Sequence, residues 1–204
     1  PGTYNPKFKL LSLDIECSEH GELFSIGLQG DDFKLVLMIG EPQHSEPQPS
    51  ESWILWQANE KTLLHSLVSQ IQILDPDIIV GWNVVNFDFR LLIKRAALHK
   101  VKLNLGRNHQ PLEWRDARNE VNQGYVTLAG RVVVDGIDAL KTATYQFASF
   151  SLEAVAQTLL GKGKDTEDVD NRLAQIEYDF KHNKIKLAAY NIQDCALVLE
   201  IFAQ

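Results

Sequence analysis

The sequence has little cysteine, no long apolar run and no excess of positive charge. Its 204 residues include two cysteines, Cys17 and Cys195, which are too few for a disulfide framework and indicate a reducing compartment. Every apolar run falls short of the roughly 20 residues that a membrane-spanning helix needs. The first residues, PGTYNPKFK, lack the apolar stretch of a signal peptide. We therefore expect a cytoplasmic protein.

The formal net charge is −7, whereas a protein that binds nucleic acid by itself is usually basic. The charge therefore argues against tight, independent binding of nucleic acid. Carboxylates neutralised by bound metal would weaken this objection, as would a larger protein that supplies the main basic groove. With 45% hydrophobic and 23% charged residues, the composition is that of a globular domain with a substantial core.

Short apolar segments and helical periodicity alternate along most of the chain. Strands are predicted over residues 8–16, 22–30, 33–40, 77–83 and 131–135. Helices are predicted over residues 59–74, 86–100, 137–145, 151–160, 171–180 and 184–203. The polar, proline-rich segment 41–52 suits neither, so we predict a surface loop there. This order of elements predicts a single α/β domain, residues 1–204, with a mixed sheet.

Two carboxylates lie near the end of the first predicted strand, in LLSLDIECS (residues 10–18). Because the side chains of a strand alternate between two faces, Asp14 and Glu16 point to the same side. Like charges at this spacing repel one another, and burying either is costly without a partner. A strand end that reaches solvent would explain the pair, and so would a cation site.

A third acid follows a predicted buried strand, in GWNVVNFDF (residues 81–89). Asp88 falls in the first turn of a predicted helix, where an acid often compensates the helix dipole. Asn83 could cap this turn or contact a ligand. Phe87 could belong to the core or stack against a base. The segment therefore allows both a structural and a functional interpretation.

The last acid lies in YNIQD (residues 190–194), within a predicted apolar helix. Tyr190 and Asp194 are four residues apart and therefore share one face of that helix. A carboxylate in such a helix needs a partner. Taken alone, Tyr190 is better explained as a core tyrosine whose hydroxyl reaches the rim.

Four acids on three predicted elements form an all-carboxylate set: Asp14, Glu16, Asp88 and Asp194. No cysteine or histidine set has the spacing of zinc ligands, and carboxylate oxygens suit hard cations such as Mg²⁺ or Mn²⁺. Two such ions about 4 Å apart can hold the attacking and leaving oxygens of a phosphoryl displacement. That reaction also needs a group to orient the attacking water, and Tyr190 is a candidate.

The spacing D-x-E, then N-x-x-x-F-D, then Y-x-x-x-D resembles the three motifs of the DEDDy 3′→5′ exonucleases. Three longer stretches, LSLDIECSEHGELFSIGL, GRVVVDGIDALK and SLEAVAQTLLGKGK, narrow the resemblance to the proofreading domain of family B DNA polymerases. A related class uses a histidine base near the last acid. Here His182 lies twelve residues before Asp194, which favours the tyrosine type.

The resemblance implies a ribonuclease H-like fold with a central five-stranded mixed sheet flanked by helices. It also implies two divalent cations, Mg²⁺ or Mn²⁺. In such a site Asp14 would bridge both ions. Glu16 and Asp194 would bind the ion that carries the catalytic water, and Asp88 would help to hold the second ion through water.

The same resemblance implies roles for four further residues. Tyr190 would orient the attacking water, while Asn83, Phe87 and the backbone around Cys17 would contact the terminal nucleotides. The implied reaction is hydrolysis of the terminal phosphodiester of single-stranded or mispaired DNA 3′ ends, with release of nucleoside monophosphates. The implied partner is the polymerase domain of the same polypeptide, from which this chain would be an excised part.

Two other functions remain open at this point. A non-catalytic module that binds single-stranded DNA could keep the fold, although the intact set of four acids and Tyr190 argues against it. An exonuclease of the same fold could instead act on RNA. Only the stretches that resemble family B polymerases argue against this second alternative.

Overall fold

The computed structural model describes residues 5–42, 53–118, 123–162 and 169–204. Within them, six strands form one mixed sheet in the order β4-β3-β2-β1-β5-β8. These strands are β1 (Leu10–Cys17), β2 (Leu23–Gln29), β3 (Lys34–Ile39), β4 (Ile54–Gln57), β5 (Ile78–Gly81) and β8 (Val132–Asp135). A separate antiparallel hairpin consists of β6 (Glu113–Asp116) and β7 (Gly124–Thr127).

Six helices accompany the sheet in the described part of the chain. They are α1 (Glu60–Leu74), α2 (Arg90–His99), α3 (Gly136–Thr142), α4 (Leu152–Leu160), α5 (Val169–His182) and α6 (Lys184–Phe202). None of them combines the length and the apolar character needed to cross a membrane. Asn59 is the N-cap of α1, because its side chain accepts a hydrogen bond from the backbone N–H of Thr62.

Strand direction brings several carboxyl ends to one edge of the sheet. β2 is antiparallel to both β1 and β3, whereas β1, β5 and β8 run parallel to one another. The ends of β1, β5 and β8 therefore meet at the same edge, where open α/β sheets commonly bind their ligands. Asp14 and Glu16 lie close to this edge, and so does the turn that follows β5.

The two faces of the sheet have different neighbours. Leu11, Leu13 and Ile15 of β1 pack on one face with apolar residues of α1 and α2. On the other face, strand residues such as Val36 and Val80 pack against α4, α5 and α6. Because side chains of β1 alternate, Asp14 and Glu16 belong to this second face. The face that carries the acids is therefore the face that α6 covers.

The α/β prediction and the ribonuclease H-like mixed sheet are confirmed, but within the described residues the sheet has six strands and not five. The additional strand is β4, which runs parallel to β3 at the edge of the sheet. A surface loop was predicted over residues 41–52. Of this segment the structure describes only residues 41 and 42, so the prediction lies outside the described residues from residue 43 onward. The described part of the segment 101–130, which the sequence indicated to be irregular with room for a small hairpin, contains the β6–β7 hairpin.

Glu60 joins three elements beneath the sheet. One of its carboxylate oxygens accepts a hydrogen bond of 2.5 Å from the backbone N–H of Leu23. The other accepts hydrogen bonds from the Arg95 guanidinium and from His99. Burial alone would raise the pKa of Glu60, but these donors outweigh it and hold the pKa below its usual value.

We expect Glu60→Gln to lower the free energy of unfolding by about 2 kcal/mol at pH 7, because hydrogen bonds to a charged group are lost. A lowered native pKa stabilises the fold above the unfolded pKa and loses this effect as the pH falls. The difference between wild type and Glu60→Gln should therefore shrink below about pH 4. Urea unfolding across pH measures it, with the exposed Glu22→Gln as control. A difference that is independent of pH would contradict the assignment.

Candidate active site

The end of β1 places two acids opposite small residues. In the antiparallel pairing with β2, Asp14 lies opposite Gly27 and Glu16 lies opposite Ser25. These small side chains leave room on this face for α6. A register shift between Glu16 and Cys17 then interrupts the pairing with β2. Such irregularities often redirect side chains beside active sites, and this one falls directly after the second acid.

Helix α6 brings a third acid to the same place. One carboxylate oxygen from each of Asp14, Glu16 and Asp194 lies within 4.8 Å of the others. Glu16 and Asp194 are buried, and Asp14 is partly buried. The structure therefore assembles three of the four predicted metal ligands from sequence positions up to 180 residues apart.

Asp88 lies in a π-helical turn, Val85–Phe89, in which the N–H of Phe89 donates to the Val84 carbonyl at 2.8 Å. Its side chain is 2% exposed, whereas that of Phe87 is 45% exposed. The turn therefore directs the acid inward and the aromatic ring outward. Asp88 lies outside the three-acid group, yet it is near enough for the charge of Asp14 to act on it.

The acids destabilise one another's charged forms. Burial raises the pKa of Asp14, Glu16 and Asp88, and neighbouring acids raise each of them further. Asp14 is the neighbour common to Glu16 and Asp88, while Asp194 acts on Asp14. Oδ1 of Asp88 is buried and has no hydrogen-bond partner among the described residues. A divalent cation fits this set, because it would neutralise the crowded charge and supply a partner for carboxylate oxygens.

The Tyr190 hydroxyl is also buried, and the described residues offer it no hydrogen-bond partner. Burial, and then the charge of Asp194, raise the pKa of Tyr190 far above its usual value. The hydroxyl therefore keeps its proton. An unpartnered hydroxyl that feels the charges of Asp194 and Glu16 is suited to hold a water molecule or a substrate oxygen.

Arg172 is a site residue that the sequence did not reveal. Its guanidinium donates to Asp194 Oδ2 at 3.2 Å and to Glu153 Oε1 at 3.2 Å. It also lies 5.4 Å from the centroid of the Tyr190 ring, within the range of a cation–π contact. These partners belong to α4 and α6, so the contacts depend on tertiary packing. No local pattern around Arg172 could have predicted them.

Two of the residues predicted to contact nucleotides, Asn83 and Phe87, are exposed. Asn83 is exposed and adopts a left-handed backbone with φ of 55°, which asparagine tolerates well. It does not cap the turn after β5, whose N-cap position is Val84. Cys17 is half-buried, and burial and then nearby acids raise the pKa of its thiol to about 12. The thiol is therefore neutral.

Next to the turn that holds Asp88 is a cleft that aromatic and basic side chains line. Its volume is about 480 Å³, and Phe87 and Trp114 lie in its wall together with Arg90 and Lys94. Aromatic rings next to basic groups are typical of surfaces that bind single-stranded nucleic acid. Phe87 therefore connects this cleft directly to the turn that holds Asp88.

Acids gathered at the carboxyl edge of an open α/β sheet form a site suited to ligands and hard cations. Residues 1–155 match the model of a family described as DNA polymerase family B, exonuclease domain. The chain therefore belongs to the exonuclease domain of family B DNA polymerases. This membership confirms the prediction of a 3′→5′ exonuclease domain, and the three-acid group is a set that could bind metal.

Several polymerases are similar to this chain over nearly its whole length. It is 42% identical to DNA polymerase II of Escherichia coli over 199 residues, which cover 98% of this chain and 25% of the relative. It is 28% identical to a DNA polymerase of Thermococcus litoralis, covering 96% of this chain and 11% of the relative. It is also 28% identical to the DNA polymerase delta catalytic subunit of Drosophila melanogaster, covering 95% and 20%. The chain thus spans a quarter or less of these relatives.

Proposed function

We propose that this domain removes nucleotides from single-stranded or mispaired DNA 3′ ends, as the proofreading activity of a DNA polymerase. The observation that carries the proposal is the convergence of Asp14, Glu16 and Asp194 within 4.8 Å. The buried Asp88 and the exposed Phe87 lie on the neighbouring turn. The names of the relatives, all DNA polymerases, support DNA as the substrate and a polymerase domain of the same polypeptide as partner.

Asp14, Glu16, Asp88 and Asp194 would hold two divalent cations, Mg²⁺ or Mn²⁺. Asp14 is the best candidate for the shared ligand, because its charge acts on both Glu16 and Asp88. Bound ions of this kind supply Lewis-acid stabilisation of the negative charge that develops during phosphodiester hydrolysis. The carboxylates would set the positions of the ions. Arg172 holds one oxygen of Asp194 by a hydrogen bond and so fixes the orientation of that carboxylate.

Tyr190 would orient the water that attacks the terminal phosphodiester in line. Because its hydroxyl keeps its proton, it can hold the water by a hydrogen bond but does not act as a base. Phe87 would stack against a base near the 3′ end, and Asn83 and the backbone around Cys17 would contact the terminal nucleotides. The products are a nucleoside monophosphate and a DNA strand shortened by one nucleotide.

Access to the site explains the expected preference for unpaired ends. Because Glu16, Asp88 and Asp194 are buried, a paired 3′ end would have to separate from its complement to bring its terminal phosphodiester to them. Unpairing costs free energy, and the cost is smallest where the end is mispaired or already single-stranded. A matched end would therefore be degraded more slowly than a mismatched one.

The cytoplasmic location expected from the sequence forms part of this proposal.

A gel assay tests the proposal with three 5′-labelled DNA substrates: single-stranded, 3′-mismatched and fully paired. We expect shortening from the 3′ end with Mg²⁺ or Mn²⁺, none with EDTA, and the slowest shortening for the paired substrate. A matched RNA oligonucleotide should be degraded far more slowly. Equal degradation of RNA would favour the RNA exonuclease alternative. Binding of the DNA without any shortening, at enzyme excess and with metal, would favour a binding module.

A further inference from the structure

Asn191 is a buried polar residue on α6 that the predicted motifs do not include. It lies between Tyr190 and Asp194 in sequence and is 0% exposed. Its Nδ2 donates a hydrogen bond of 2.6 Å to Asp14 Oδ2. Its Oδ1 accepts a hydrogen bond of 2.9 Å from the Ser25 hydroxyl. One amide therefore connects α6 to β1 and to β2.

The two contacts fix the orientation of the amide. Asp14 must be ionised to bind a cation, and an ionised carboxylate can only accept hydrogen bonds, so the side of Asn191 that faces Asp14 carries the N–H group. The carbonyl oxygen then faces Ser25, whose hydroxyl can donate to it. Ser25 lies opposite Glu16 on β2 and, like Asn191, is fully buried. The serine therefore holds the amide in the orientation that lets it donate to Asp14.

Gly27 makes this close approach possible. It lies directly opposite Asp14 in the register of β1 and β2. A Cβ at this position would come within 3.1 Å of Cγ and Nδ2 of Asn191 and 3.0 Å of Cys195 Sγ. A side chain at position 27 would therefore press on Asn191 and Cys195, and both would have to shift by a few tenths of an ångström. Gly27 thus provides the space, Asn191 the donor to Asp14, and Ser25 the hydroxyl that orients the Asn191 amide.

We propose that Asn191 is a positioning residue that fixes the rotation of the Asp14 carboxylate and thereby sets the affinity of the site for its divalent cation. The inference rests on the proposed metal site. A hydrogen bond to an ionised group is strong and directional, so it restricts a carboxylate that would otherwise turn freely. Partners that orient metal ligands commonly change metal affinity by about 10- to 100-fold when they are removed.

The test measures Mn²⁺ binding by titration calorimetry in the absence of DNA. Asn191→Leu keeps the branched shape but removes the donor, and we expect its dissociation constant to rise by about 10- to 100-fold. Ser25→Ala leaves Asn191 in place but frees its amide to rotate, so a smaller rise is expected. The double variant should bind like Asn191→Leu alone, because Ser25 acts through Asn191. Gln193→Leu, an exposed amide on the same helix, is the matched control and should bind as wild type does.

Exonuclease rates at limiting and saturating Mn²⁺ provide a second readout. A positioning role predicts a large loss of rate in Asn191→Leu at limiting metal and recovery to within a few-fold of wild type at saturating metal. Wild-type affinity for Mn²⁺ in a folded Asn191→Leu, or additive effects in the double variant, would overturn the inference and leave the proposed function intact. Failure of the wild-type protein itself to bind Mn²⁺ would overturn the proposed metal site and the inference with it.

Discussion

Asp14→Ala is expected to abolish most of the rise in melting temperature that divalent cations cause, and to lower the exonuclease rate by about 10³-fold. Asp14 lies at the centre of the acid set, since its charge acts on Glu16 and Asp88 and that of Asp194 acts on it. Its loss removes the ligand that both cations would share. The remaining acids cannot hold two cations side by side without this shared ligand. The affinity for divalent cations and the exonuclease rate should therefore fall together.

The pH dependence of stability provides an independent check of the same assignment. Burial and neighbouring acids raise the pKa of Asp14 and Glu16 in the folded protein. A raised native pKa contributes stability below the unfolded pKa and loses it as the pH rises through the native pKa. In EDTA, Asp14 and Glu16 should therefore lower the melting temperature as the pH rises above about 4, against the opposite contribution of Glu60, and comparison of the wild type with Asp14→Ala isolates the effect of the site. The fall should be smaller in Asp14→Ala, which has one crowding charge fewer.

Scanning calorimetry in EDTA, Mg²⁺ and Mn²⁺ measures these effects, together with the gel assay for the rate. The exposed Asp31→Ala serves as the matched control, because it removes an acid from a turn without touching the site. It should keep the full response to cations and the full rate. An Asp14→Ala protein that responds to cations as the wild type does would show that these ions bind elsewhere.

Local sequence rules predicted the parts of the site that depend on one element. Strand alternation placed Asp14 and Glu16 on one face, and that face is the one that α6 covers. Helical spacing placed Tyr190 and Asp194 on a common side of α6. These relations follow from backbone geometry alone. They therefore do not depend on how the rest of the chain packs.

The parts that the sequence did not reveal depend on a backbone irregularity or on packing. Asp88 was predicted in an ordinary helical turn, but a π-helical turn decides that it points inward while Phe87 points outward. Strand β4 has only four residues and follows a proline-rich segment, so it gave no clear strand pattern. Arg172 and Asn191 reach the acids through contacts between distant segments. Local periodicity contains no information about such contacts.

Tyr190→Phe is expected to lower the exonuclease rate by about 10²-fold while metal affinity and DNA binding stay close to those of the wild type. The substitution removes one oxygen atom and keeps the ring, and with it the contact to Arg172. The hydroxyl that is lost is buried and has no partner among the described residues. Its removal should therefore leave stability unchanged or slightly increased, since an unsatisfied buried hydroxyl costs free energy.

This combination of effects separates the two interpretations of Tyr190. A core tyrosine would keep its rate when the hydroxyl is removed, whereas a water-orienting tyrosine would lose rate; because the hydroxyl has no partner among the described residues, stability should hold in both cases. Single-turnover kinetics at saturating metal and DNA isolate the chemical step, and thermal melting measures stability on the same samples. Tyr178→Phe, an exposed tyrosine on α5, is the control and should change neither quantity. A Tyr190→Phe enzyme with full single-turnover rate would assign the water to another group, and the buried hydroxyl would then have only a packing role at the rim of the site.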